Sequence, residues 1–109
     1  MEYRIIKSPS QGTIDILMRR RAGRSPDQEK TTGRIEAIGL VQGRMIEMIS
    51  AADIAEKAAG VTAEDIRGNC PQSMLLLALF GDTASVETAI GEIRRSEKEV
   101  RNHGSGKID

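Results

Sequence analysis

Seven consecutive apolar residues, Met74 to Phe80 (MLLLALF), constrain the fold of this chain more than any other feature. A run that is apolar at every position has no polar side to turn towards water. It is also far too short for the ~20 residues that a bilayer-spanning helix needs, so it reads as a strand covered on both faces. Such a strand belongs inside a sheet with other elements layered on it.

The 109 residues around that run suffice for one domain with a modest core. Tyr3 to Lys7 and Thr13 to Met18 read as short strands, the second with Ile14 and Ile16 on one face and Asp15 on the other. Ser8 to Gly12 form the turn between them, and the charged, Gly- and Pro-punctuated stretch from Arg19 to Thr32 reads as a surface loop. From Gly33 the sequence RIEAIGLV suits a strand. Met45, Met48, Ile49, Ala52, Ala55 and Ala59 then recur at helical spacing, with both methionines assigned to the core and Gly60 as the stop. A short strand is expected over Val61 to Arg67. Beyond MLLLALF, Asp82 and Thr83 are N-cap candidates for a helix whose stripe is Val86, Ala89, Ile90, Ile93 and Val100.

These elements predict an α+β fold, an antiparallel sheet with helices packed on one side, in the order βαββα with an N-terminal addition. One domain is expected over 1–100, with N-terminal strands and loop in 1–32 and the main body in 33–100. The tail, 101–109, has no apolar period and is expected to be flexible.

Sixteen basic residues balance sixteen acidic ones, so nothing in the overall charge points to nucleic acid or an anionic membrane. Tyr3 and Phe80 are the only aromatic residues, which argues against stacking platforms for bases or sugars. The opening MEYRIIKS lacks the apolar core of a secretory signal. A single cysteine forms no intrachain disulfide and suits a reducing compartment, so a cytosolic location is expected.

That cysteine, Cys70, lies in the stretch RGNCPQ between Gly68 and Pro71. Glycine permits a tight turn and proline fixes φ, so the loop should hold the thiol in a narrow range of directions. A lone cysteine is most often a small buried hydrophobe; ligation of a metal or cluster is the second reading. A nucleophile is the third, but the only histidine, His103, stands in the tail, and a thiol without a placed base is poorly equipped for catalysis. No enzyme is expected. Arg19, Arg20 and Arg21 read as an exposed basic strand end, and an anionic partner is the alternative.

The segments AADIAEKAAGV (51–61), IRGNC and ALFGDTASVETAI (78–90) resemble the domain of bacterial microcompartment shell proteins, the BMC domain. The match covers Gly33 to about Ile93, and the segment Tyr3 to Met18 resembles the circularly permuted subclass, which carries at its front strands that otherwise close the fold. Val61 to Gly68 is about two residues shorter than the usual form. The Gly-x-Cys-Pro-Gln motif is similar to that of permuted shell proteins associated with glycyl-radical-enzyme propanediol microcompartments and with an iron–sulfur cluster at the pore.

The resemblance implies a homo-hexamer that tiles into facets with other shell proteins, inside a microcompartment in the cytoplasm. Gly68, Asn69, Pro71 and Gln72 would line the central pore. Cys70 would ligate an iron–sulfur cluster, [4Fe-4S], shared across the hexamer axis. Lys57, four residues after Asp53, would be the edge lysine at the hexamer–hexamer contact. One thiol per chain builds no cluster alone, but rotational symmetry brings copies of it to one axis. The competing class is a small α+β ligand-binding or redox-sensing regulatory domain in which Cys70 is structural or oxidisable. A tile forms large cyclic oligomers and sheets, whereas such a domain usually stops at a dimer or trimer.

Overall fold

The computed structural model describes residues 1–21, 35–68 and 74–102, with side chains described as far as residue 99. Strand β1 (Glu2–Lys7), helix α1 (Gln11–Arg19), strand β2 (Ala37–Arg44), helix α2 (Met45–Ala58), strands β3 (Thr62–Ile66) and β4 (Met74–Gly81) and helix α3 (Thr83–Asn102) follow one another. The four strands form one antiparallel sheet in the order β1-β2-β4-β3.

The MLLLALF run is β4, an interior strand. Its period of two sends Leu75, Leu77 and Leu79 to one face of the sheet and Leu76, Ala78 and Phe80 to the other. Helices α2 and α3 cover the first face, with Met48, Ala51 and Ala55 from α2 and Val86, Ala89, Ile90 and Ile93 from α3 packed against Val41, Leu77 and Leu79. Gly39 in β2 permits the close approach of α3, because a Cβ there would stand 3.1 to 3.3 Å from the side chains of Val86 and Ile90.

The other face departs from the sequence reading. Thr13–Met18 is not a second N-terminal strand but most of α1. Ser10 caps this helix through its Oγ, which accepts from the Thr13 N–H at 3.2 Å, and Ile14, Leu17 and Met18 recur at helical spacing against Ile38, Ile66, Ala78 and Phe80. Ile16, assigned to the same face as Ile14, points away. A single N-terminal strand, β1, therefore joins the sheet, and the N-terminal helix covers the face that α2 and α3 leave open.

Two further expectations change. Met48 is core, but Met45 is half exposed. The basic run ends helix α1 and not a strand; Arg19 and Arg20 are exposed as expected, but Arg21 is buried and pairs by an isolated bridge with Ile66. Asp82 caps α3 as expected, accepting from the Ser85 N–H at 2.8 Å. The tail beyond residue 102, and the side chain of Val100, lie outside the described residues.

Candidate functional site

The loop that carries Cys70 springs from one end of the sheet. Arg44, the last residue of β2, lies opposite Met74, the first of β4, and Ile66 at the end of β3 lies opposite Leu76. The β3 stem is tied to the N-terminal segment by the Arg67 N–H, which donates to the Arg20 carbonyl at 2.7 Å, beside the Arg21–Ile66 bridge. Gly68 continues this stem, and a Cβ at that position would meet nothing within 4 Å among the described residues. Asn69, Cys70, Pro71 and Gln72 lie outside the described residues.

Arg20, Asp65, Arg67, Gly68 and Met74 line an open depression beside the stem. Sequence reasoning did not single out Arg20 or Arg67 for the site. No local pattern marks them, since their nearness depends on α1 crossing the sheet to reach β3.

Lys57 stands in the last turn of α2, largely exposed, with its Nζ 2.8 Å from Asp53 Oδ2 one turn earlier. Helix α2 starts immediately after Arg44 at the loop end and runs back across the sheet. Ala55 packs near Val61, which leads into Thr62, opposite Phe80 at the far end. Twelve residues at 1.5 Å each put Met45 and Lys57 roughly 18 Å apart along the helix axis. The loop stem and the lysine therefore mark opposite ends of one subunit, with α2 as a rigid strut between them.

Among the described residues, no group of three or more His, Cys, Asp or Glu side chains could hold a metal ion. The resolved shifts of titratable groups lie on α3 or at its cap. Hydrogen bonds from Ser85 hold the Asp82 carboxyl below the ordinary range, and the Arg95 guanidinium does the same to Glu92, which in turn raises Arg95. No helix among the described residues is long and apolar enough to cross a membrane.

The family model of the BMC domain matches residues 37–104. The ligand-free GrpU microcompartment shell protein from Clostridiales bacterium 1_7_47FAA is 58% identical, over 95% of this chain and 100% of its own, with a TM-score of 0.70. That of Pectobacterium wasabiae is 32% identical, over 85% of this chain and 99% of its own, with a TM-score of 0.65. The fused permuted hexameric shell protein MSM0275 from the RMM microcompartment shares the fold at 16% identity and a TM-score of 0.66, over 89% of this chain and 45% of its own. Comparison with curated proteins returns no match.

Proposed function

Because this chain belongs to the BMC domain family of bacterial microcompartment shell proteins, we propose that it is a structural tile and not an enzyme, a homo-hexamer with the Cys70 loop at its axis and Lys57 at its rim. The opposite placement of loop stem and lysine along α2 is the observation that carries this reading. A cyclic tile needs one end of each subunit to converge on an axis and the other to meet the next tile, and α2 separates the two. Gly68, Asn69, Pro71 and Gln72 line the pore in this reading. Among the described residues, nothing crowds a Cβ at Gly68, which leaves room there for neighbouring copies. The tile works beside other shell proteins in a microcompartment within the cytoplasm, and the Cys-Pro-Gln motif favours one of the glycyl-radical propanediol type.

The donor chemistry fits an iron–sulfur cluster, [4Fe-4S], only as a shared group. Each chain offers one thiolate, and several copies at an axis offer a set. Bound there, the cluster would supply one-electron transfer, while the chain's own part is to carry the thiol on a loop whose β3 stem is anchored by Arg20 and Arg21. Anaerobic purification with native mass measurement and metal analysis tests both parts. A mass of six chains with iron supports the reading, and a monomer would overturn it.

A further inference from the structure

Arg20 and Arg67 stand opposite each other where the N-terminal segment meets the end of β3. The Arg21–Ile66 bridge is antiparallel, and one step along it the Arg67 N–H donates to the Arg20 carbonyl at 2.7 Å. Residues opposed in this way have Cβ atoms roughly 5 Å apart, close enough for their side chains to act on each other. Both arginines are exposed, and both line the depression beside the stem together with Asp65, Gly68 and Met74.

Like charges directly opposite each other on a strand pair oppose folding. Elsewhere on the surface cations are matched: Lys7 pairs with Glu87, Lys57 with Asp53, and Arg95 with Glu92 and Glu99. Among the described residues, no carboxylate pairs with Arg20 or Arg67, and Asp65, in the same depression, pairs with neither. The buried charges nearby come one of each sign, Arg21 and Glu64, and leave the balance unchanged. Two guanidinium groups against one carboxylate thus give the depression a surplus of positive charge.

We propose that this depression is an oxyanion site, in which Arg20 and Arg67 of one chain hold the phosphate or carboxylate group of a small molecule between them. A guanidinium presents its N–H donors in a rigid planar fork that matches the oxygens of either group in pairs. An anion between the two arginines replaces their mutual repulsion by attraction to a shared partner. The backbone hydrogen bond and the neighbouring bridge fix the spacing of the two residues in advance, so little ordering is left for the ligand to impose. Because the site is complete within one subunit, it does not depend on the hexameric reading above.

Titration calorimetry on the full-length protein tests this, with inorganic phosphate and acetate as probes and sodium chloride at matched ionic strength as the reference. At least one probe should bind saturably, one per chain, and the one that binds better identifies the group. Arg20→Gln and Arg67→Gln should each weaken that binding about tenfold or more. Arg19→Gln, which removes an exposed neighbour outside the depression, should leave it unchanged. Without ligand, Arg20→Gln and Arg67→Gln should melt no lower than the parent, since each relieves the like-charge pair. Asp65→Asn should tighten binding, because it removes the carboxylate from the rim. No saturable binding of either probe would overturn the site. An equal loss in Arg19→Gln would do the same by showing diffuse surface charge, and one anion per six chains would place the ligand on a shared axis instead. A monomer that binds one anion would remove the hexamer and leave this site standing. If Arg67→Gln fails to melt cooperatively, Arg67→Lys, which keeps the charge and loses the fork, takes its place and should also bind more weakly.

Discussion

Tyr3 on β1 and Glu97 on α3, 94 residues apart in sequence, are joined by a hydrogen bond from the phenol to the carboxylate. The Arg94 guanidinium lies over the same ring, 5.2 Å from its centroid. One residue of the N-terminal segment thus touches two turns of the last helix, and the added strand is fastened to the main body by side chains as well as by its ladder with β2. Tyr3→Phe keeps the ring and removes the donor. It should lower stability by about 1–2 kcal/mol, since the acceptor is charged and part-buried. The urea midpoint should fall with no change in slope. An unchanged midpoint would mean that this hydrogen bond adds nothing to the hold on β1.

The N-terminal helix makes a sharper contrast between neighbours. Leu17 is buried against the second face of the sheet and Ile16 is half exposed. Leu17→Ala should cost about 2–4 kcal/mol, whereas Ile16→Ala should stay within about 0.5 kcal/mol. A strand over 13–18 would instead place Ile14 and Ile16 together and make Ile16 the costly site. Deleting residues 1–20 removes both β1 and the cover of Ile38, Ala78 and Phe80. The truncated chain should be insoluble or fail to melt cooperatively.

These two segments also mark where the sequence was legible. A run apolar at every position has one economical fate, and β4 lies where MLLLALF implied. TIDILM is apolar at 14, 16, 17 and 18, which satisfies a period of two and a helical period alike over so short a span. The deciding signal is Ser10, an N-cap three residues before Thr13, which in sequence alone looks equally like part of a turn. Helix α2 was legible as a helix, but its apolar residues run round much of its circumference. Single-chain periodicity does not separate a core methionine, Met48, from Met45 and Ile49, which another chain could cover. Of the candidate site, Gly68 and Lys57 can be located, whereas Asn69 to Gln72 lie outside the described residues. The arginines beside the loop stem come together only through the crossing of α1.

Acid stability should depend on Asp82. Ser85 hydrogen-bonds its carboxylate through the backbone N–H and through Oγ, at 2.8 and 3.1 Å, which holds its folded pKa below the ordinary carboxylate value. Folding therefore favours the ionised form. The contribution is complete above the unfolded value of about 4 and is lost as pH falls through the lower folded value. Asp82→Asn keeps a cap acceptor but does not titrate. Below about pH 4 its melting temperature should fall less steeply than the parent's, and parallel curves would remove Asp82 from the acid transition.

Lys57 contributes little to the subunit itself, because its ion pair with Asp53 is exposed to solvent at both ends. Its proposed work lies between tiles, where a small loss is repeated at every edge of a facet. Lys57→Ala should leave the hexamer mass and the melting temperature unchanged, yet weaken or abolish sheets. Negative-stain images of the variant forming sheets as the parent does would end the edge role.

Cys70 should determine whether the protein holds iron. A cubane cluster takes four ligands in tetrahedral directions, while six equivalent thiols would lie in a ring, and the two symmetries cannot both be met. Either alternate thiols bind one face of the cluster and leave the last iron to water or a small ligand, or the ring distorts. Both leave room for one cluster on an axis, so anaerobically prepared protein should be brown and approach roughly four irons per six chains. Oxygen should bleach it, since a cluster at a pore is open to solvent. Cys70→Ser should be colourless and still hexameric, because the substitution exchanges one atom and should leave the contacts that hold a ring together in place. Zinc held by three thiolates and a water would give a colourless protein without iron, and the cluster would be excluded in favour of that ion. About four irons per chain would mean that each subunit carries its own cluster, which one cysteine cannot support, and the shared axial site would have to be abandoned.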